Sequence, residues 1–380
     1  MKIAVIGAGP AGMYFSLLMK KRFPEYEITI YEQNPAGATY GWGVVFSDVA
    51  LSFLKQPDEA FYEKFTAGHE RCGYMEIVHK DTRVQLRNNH FSRVARIDLL
   101  KVLQDECRQA GVEMKFDVRV EDPAQLGSPD LIVAADGGNS AIRARYAEHF
   151  KPTFEKRRNK FAWYGTRQLF HAVSLIFRET EHGVFIAHSY QYSKDLSTFL
   201  IEVDPDTWQR AGLDTMSDED SRRYCEQVFA PDLGSNGLLS NRSIWFSANI
   251  VSNENWSHEN IVLLGDALRT VHFSLGSGTR MAMQDAIALY EGFVENGKDV
   301  QAAFKAFEAA RRGSSSNFQT AAARSLDWYE TIDDKMHLNP VDFAYDYMRR
   351  TGRVSHEDLK QRDPDFVARY EALHGESAQA

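Results

Sequence analysis

Apolar positions change their spacing along this chain, and the changes mark out its elements. Residues 2–6, Lys-Ile-Ala-Val-Ile, are apolar and branched without alternation, as in a strand buried on both faces. Met13 to Lys20 carries a helical pattern, and residues 27–32, Glu-Ile-Thr-Ile-Tyr-Glu, form a second strand. Together they make a βαβ opening within roughly 30 residues. Residues 35–48 are glycine-rich and read as loop, and a helix is expected from about Val49 to Thr66. Residues 73–87 alternate as strands do. Ile97–Ala110 is amphipathic and stops at Gly111. Val112–Val120 and Leu131–Ala135 again read as strands.

The middle, about 151–255, is aromatic and alternating, as in Val184–Tyr192 and Ser197–Val203, and predicts antiparallel sheet. Ile261–Leu264 returns to the buried-strand type. From Thr279 to about Asp333 the pattern is mostly helical. Gly313–Ser316 reads as a surface turn or weak helix segment, and the tail Gly375–Ala380 as frayed.

Composition narrows the class. A length of 380 residues suggests two domains, and 43 % hydrophobic residues supply a sizeable core. The formal charge of −9 disfavours nucleic acid as a partner. Cys72, Cys107 and Cys225 are too few and too scattered for a disulfide framework or a cysteine metal site, so no metal is expected. No stretch approaches ~20 uninterrupted apolar residues, so no membrane partner is expected. Gly7, Gly9, Pro10 and Gly12 interrupt any signal-peptide core at the start, which gives a cytoplasmic reading.

Three motifs then carry chemistry. Gly7-Ala8-Gly9-Pro10-Ala11-Gly12 follows the first strand and opens the first helix, and Glu32-Gln33 ends the second strand. The glycines allow a pyrophosphate to approach the helix N-terminus, where free N–H groups and the helix dipole favour negative charge. Glu32 would accept from ribose hydroxyls. This fingerprint alone does not choose between FAD and NAD. In the second motif a buried strand runs into Asp136-Gly137 with a helix starting near Ser140; alone it could be a plain turn. The third is Gly265-Asp266 at a strand end, followed by Gly276-Ser277-Gly278-Thr279 and a helix containing Met281 and Asp285. Asp266 suits a ribityl hydroxyl, and the helix start suits a ring that becomes anionic on reduction.

The combination resembles the FAD-dependent aromatic hydroxylases, the p-hydroxybenzoate hydroxylase-like flavoprotein monooxygenases, from residue 1 to about 330. The resemblance implies an α/β fold: a Rossmann-like FAD-binding domain (1–72, 92–150 and 256–330), a β-sheet substrate domain (73–91 and 151–255) and C-terminal helices (331–380). It implies that Gly7–Gly12 and Glu32 hold the ADP part of FAD, that Asp136–Arg143 serves FAD and NAD(P)H, that Asp266 binds the ribityl chain, and that Arg96 contacts FAD. It also implies NADPH or NADH and O2 as co-substrates and hydroxylation through a C4a-hydroperoxyflavin.

Tyr40–Asp48, His272-Phe273-Ser274 and Phe161–Thr166 look like a narrower branch. That branch holds salicylyl-CoA 5-hydroxylase, 2-aminobenzoyl-CoA monooxygenase and the violacein-pathway tryptophan hydroxylase. Val228–Pro231, Leu238–Asn241 and Arg353–Pro364 lean toward its CoA-thioester members. Asp266-Ala-Leu-Arg269 departs from the wider family's Asp-Ala-Ala-His, so the p-hydroxybenzoate pocket is not carried over.

Such chemistry needs a dry chamber, a ring held within ~3–3.5 Å of the reacting oxygen, and a group that keeps electron density on the ring. His272, beside the glycine loop, is the leading polar candidate, and Trp42 and Gly43 are expected to flank the flavin. Alternation places His188, Tyr190 and Tyr192 on one strand face; that face either looks toward the flavin or is partly solvent-exposed. The basic stretch Lys151–Arg167 is either a solvated face or a landing site for phosphates. Two substrate classes stay open, an aromatic CoA thioester such as salicylyl-CoA and a free indole or aromatic amino acid. A flavoprotein of another class and a non-enzymatic dinucleotide module are the remaining alternatives. The state is read as monomer or homodimer.

Overall fold

The computed structural model describes residues 1–39, 41–271 and 276–375. Two sheets organise them. The first has six strands in the order Ser257–His258, Ile261–Leu263, Leu131–Ala134, Lys2–Ile6, Glu27–Tyr31, Glu113–Lys115. All neighbours are parallel except the outer pair Ser257–His258/Ile261–Leu263. Its central strands are buried on both faces, which is why they read as unbroken apolar runs.

Helix Pro10–Arg22 packs between Arg96–Ala110 and Gly278–Asn296, and every residue from Ala11 to Met19 is buried. A Cβ on Gly7, at φ +105°, would lie 2.2 Å from Ala135 O, so only glycine lets the first strand turn there. The carboxyl ends of four strands are in register, Ile6 beside Tyr31 and Ala134, and Leu263 beside Ala134. The three sequence motifs therefore emerge on one rim.

The second sheet has nine strands. Its order is Leu238–Leu239, Pro152–Thr166, Ser197–Val203, Gly183–Gln191, Val173–Thr180, Glu70–His79, Thr82–Ala95, Gly43–Ser47, with Phe246–Asn253 pairing along the first half of Pro152–Thr166. One contact, Glu70–His79 with Val173–Thr180, is parallel; the others are antiparallel. One face packs Phe185, Phe199 and Ile201 against Cys225 and Phe229. The other packs Ile77, Phe177 and Ile186 against Trp328, Tyr329 and Phe343 of the C-terminal helices.

Several expectations change. The stretch 35–48 contains the strand Gly43–Ser47, which forms because Thr82–Ala95 offers it a partner. The expected helix 49–66 is a 3-10 turn, Asp48–Leu54, and a separate helix Glu59–Thr66 capped by Asp58, with Pro57 between them. Val112–Val120 keeps only Glu113–Lys115 as strand. Helices Pro205–Arg210, Asp218–Val228 and Ala230–Leu233 interrupt the middle sheet. Gly313–Ser316 lies inside the 31-residue helix Val300–Glu330. Among the described residues no helix is long and apolar enough to cross a membrane.

Candidate active site

The rim of the six-stranded sheet collects the predicted cofactor residues. Helix Pro10–Arg22 starts at Gly9 without a side-chain cap, and a Cβ on Gly9 would meet nothing within 4 Å. Its first N–H groups thus have no side-chain cap. Glu32 Oε2 accepts from Ala8 N at 2.8 Å, and Oε1 accepts from Asn34 N and Nδ2 at 2.9 and 2.7 Å. These bonds pin the carboxylate at the mouth of a cleft of about 160 Å³, lined also by Gly9, Arg96, Leu100 and Phe116. Gln33 follows Glu32 on that rim.

Asp136 Oδ1 is buried with no partner, while Oδ2 accepts from Ile142 N at 3.3 Å. Burial raises the Asp136 carboxyl above its ordinary range, so a hydroxyl donor reaching Oδ1 would relieve it. Ser140 caps the following helix. Arg143 ties this motif to the third, donating to Ala267 O at 3.0 Å and to Gly138 O.

Asp266 follows Gly265, which adopts φ +61°. Its side chain is open to solvent yet deeply surrounded by protein, as befits a group at the floor of a crevice. Burial pushes its carboxyl up, opposed by Arg96 and Arg269. Burial likewise works against the Arg96 guanidinium, with Asp266 and Tyr190 favouring its charge. Arg269 is itself buried; it pairs with Asp285 at 2.6 Å and lies 5.0 Å over the Trp256 ring. Gly276 has φ +59°, and the helix Gly278–Asn296 starts uncapped by a side chain, with open space beside Gly278 and Thr279 in its first turn. His272 lies outside the described residues, as do Tyr40, Phe273 and Ser274.

These features suit a dinucleotide joined to a flat ring. They offer an uncapped helix start for pyrophosphate, Glu32 for ribose, an orphaned Asp136 oxygen, and Asp266 under a second uncapped helix start.

Beside this crevice lies one face of the nine-stranded sheet. Directly opposed residues share a face, which gives rows across the strands. One row is Gly165, Thr198, Tyr190; the next is Trp163, Leu200, His188, Leu175; the third is Phe161, Glu202, Ile186, Phe177. The segment Trp42-Gly43 lies over the first row. Gly43 N donates to Thr198 Oγ1 at 3.0 Å, Tyr190 Oη donates to Gly43 O at 2.8 Å, and Trp42 Nε1 donates to Trp163 O at 3.2 Å. A Cβ on Gly165 would lie 2.7 Å from the Trp42 ring, and one on Gly43 2.5 Å from Tyr192. Tyr192 follows the end of strand Gly183–Gln191 and packs on this segment. Burial raises the Tyr190 phenol, so it stays protonated and able to donate.

In the second row His188 Nε2 lies 2.9 Å from Glu202 Oε2, and Asn159 Nδ2 donates to Glu202 Oε1 at 2.7 Å. Glu202 is fully buried, and the Tyr329 ring is 5.2 Å from His188. Trp163 Nε1 is buried without a partner. The sequence reading missed Glu202, Asn159 and Trp163. An acid at an inward position of Ser197–Val203, whose every residue is buried, was the available signal.

The basic stretch divides. Arg157 is bound to Glu155, Asp327 and Glu330, Lys151 pairs with Glu254, and Lys160 sits over Trp208.

Residues 78–317 match the family described as FAD binding domain. The chain is 37 % identical to salicyloyl-CoA 5-hydroxylase of a Streptomyces species, over 97 % of this chain and 73 % of that protein. It is 35 % identical to protodeoxyviolaceinate monooxygenase of Chromobacterium violaceum, over 92 % and 94 %. It is 32 % identical to 3-hydroxy-4-methyl-anthranilyl-[aryl-carrier protein] 5-monooxygenase of Streptosporangium sibiricum, over 94 % and 97 %. Among solved structures, p-nitrophenol 4-monooxygenase PnpA from Pseudomonas putida superposes with a TM-score of 0.72 at 15 % identity, over 98 % of both chains, a likeness of fold.

Proposed function

Because the chain belongs to the FAD-binding family of flavin-dependent aromatic monooxygenases, we propose that it hydroxylates an electron-rich aromatic ring carried as a coenzyme A thioester, salicylyl-CoA first. The balance is ArH + O2 + NAD(P)H + H⁺ → ArOH + H2O + NAD(P)⁺. When bound, FAD would supply the redox chemistry: hydride acceptance from NAD(P)H and transfer of one oxygen atom of O2. The protein binds, orients and moves a proton.

Glu32 and the start of helix Pro10–Arg22 would hold the ribose and pyrophosphate, Asp136 and Asp266 the hydroxyls of the linker, and Gly276 to Thr279 the ring edge. The observation that carries the reading is the His188–Glu202 pair on a sheet face that ends, one row on, at Tyr190 and Gly43. Glu202 fixes the imidazole by its Nε2 edge. His188 Nδ1 then takes the proton of the ring's hydroxyl or amino group, which raises electron density at the carbon attacked. The packed Trp42 and Trp163 rings exclude water from that side.

The thioester is supported by two relatives, one named for a CoA ester and one for an aryl carrier protein. A second reading, a free indole-derived substrate, is supported by the relative named for protodeoxyviolaceinate. Purified flavoprotein is given NAD(P)H, air and either salicylyl-CoA, salicylate or tryptophan, and products are read by mass spectrometry. Hydroxylated acyl-CoA is expected. Product from tryptophan, or equal product from salicylate and its CoA ester, would overturn the thioester assignment.

A further inference from the structure

We infer that the cleft between helix Val300–Glu330 and residues 345–355 binds the phosphorylated nucleotide of the coenzyme A carrier, an inference that rests on the thioester reading above. The cleft measures about 470 Å³ and is lined by Arg349, Arg350 and Arg353 with Tyr345 and Ser355. Arg324 reaches its edge at Gly352. In a chain of formal charge −9 this concentration of guanidinium groups stands against the overall balance.

Their polar partners are neutral. Arg349 Nη1 meets Tyr345 Oη at 3.4 Å, Arg350 donates to Ser325 Oγ at 2.9 Å and Tyr347 O at 3.0 Å, and Arg353 donates to Asn317 O at 2.5 Å. The one lining carboxylate, Asp346, accepts from Trp328 Nε1 at 2.6 Å. Among the described residues none of Arg324, Arg349, Arg350 and Arg353 has a carboxylate within ion-pair distance. Arg280, near the start of helix Gly278–Asn296, lies near enough to feel this charge: burial first, then Arg311 and Arg353, act against its own, and its Nε is buried without a partner. Guanidinium forks without carboxylate partners on a concave surface match phosphate geometry.

Position ties the cleft to the chamber. The Tyr329 ring is 5.2 Å from the His188 ring and 6.0 Å from the Arg350 guanidinium, so a single buried aromatic separates them. A pantetheine arm is longer than this separation. An aryl group beside His188 can therefore be joined to a nucleotide in the cleft. The basic stretch Lys151–Arg167 is less suited, since Arg157 and Lys151 are already held by carboxylates.

The test combines Arg349→Ser and Arg353→Ser, exposed positions whose contacts are neutral; Arg350, stacked 3.7 Å from Tyr347, is left in place. Calorimetry with free coenzyme A on the FAD-loaded enzyme should show the Kd rising at least tenfold. The KM for salicylyl-CoA should rise likewise, while the KM values for salicylyl-pantetheine, which lacks the nucleotide, and for NADPH stay put. Arg349→Lys with Arg353→Lys should recover part of the affinity. Unchanged coenzyme A affinity would overturn the inference, and so would equal losses for both thioesters. A shift confined to NADPH would give the cleft to the reductant instead and would also overturn it. If free coenzyme A binds and the variant loses it, but salicylyl-CoA is not hydroxylated, the aryl assignment fails while the nucleotide site stands.

Discussion

Glu202 is a carboxylate inside a sheet, a position that costs several kcal/mol unless the charge is answered. It is answered by Asn159 on one oxygen and His188 on the other. A residue serving packing alone would be cheaper as an amide or an aliphatic. The pair instead fixes one imidazole edge and leaves the other ring nitrogen for a proton. Glu202→Gln keeps the shape and removes the charge. It should lower kcat for ring hydroxylation by about 10²-fold, change the shape of the pH profile of kcat/KM, and divert NAD(P)H oxidation toward hydrogen peroxide. Flavin content should be unchanged. His188→Gln should reproduce these changes. An unaltered pH profile and full coupling in both variants would leave the pair a structural bond.

At the scale of elements, the strand Gly43–Ser47 carries the segment over Tyr190 and Thr198, so its anchoring matters. Phe46 is buried there, with the His69 ring 6.2 Å away and Phe65 packed on both. His69 Nδ1 lies 2.7 Å from Ser92 Oγ, and burial lowers its pKa to about 4. The folded chain therefore holds His69 neutral where the unfolded chain, at about 6.5, takes up a proton. Between those values the unfolded state binds more protons, so stability is full above pH 6.5 and falls as the pH drops toward 4. The loss from this residue is at most about 3 kcal/mol. Urea midpoints from pH 7 to 4 should fall less steeply for His69→Gln than for the parent; parallel curves would sink the assignment. The same strand shows why sequence legibility stops where it does. Lys2–Ile6 and Ile261–Leu263 were readable because burial on both faces leaves an unbroken apolar run. Gly43–Ser47 has only Val44-Val45-Phe46 between glycine and serine, and becomes a strand through Thr82–Ala95, far along the chain. Glycine fingerprints and strand-end acids were visible because the phosphate chemistry dictates their spacing. Glu202 showed only as an acid within an apolar strand and Asn159 not at all, since their pairing with His188 depends on a cross-strand register.

The molecule as a whole is two sheets bridged by helices, and the C-terminal helices complete the second sheet. Trp328 and Phe343 cover Phe177, and Phe343 stacks on His79 at 4.1 Å. The residues after 331 are therefore a packed layer of the nine-stranded sheet. Phe343 is fully buried, and its removal leaves a cavity that neighbours fixed by the sheet cannot fill. Phe343→Ala should cost about 3–5 kcal/mol and lower the thermal midpoint by several degrees. Its place in the layer packed on the nine-stranded sheet predicts a division of effects. Flavin absorbance at low temperature should match the parent, because Glu32, Asp136 and Asp266 belong to the other sheet's rim. The KM for the acyl-CoA substrate should rise, because Phe343 packs on Trp328, which donates to Asp346 at the arginine cleft. A variant that sheds its flavin at low temperature would show that the two sheets fold as one unit and that the layer supports both sites. Flavin retention with a weakened acyl-CoA KM would instead show that the carboxyl-terminal layer serves the substrate side alone.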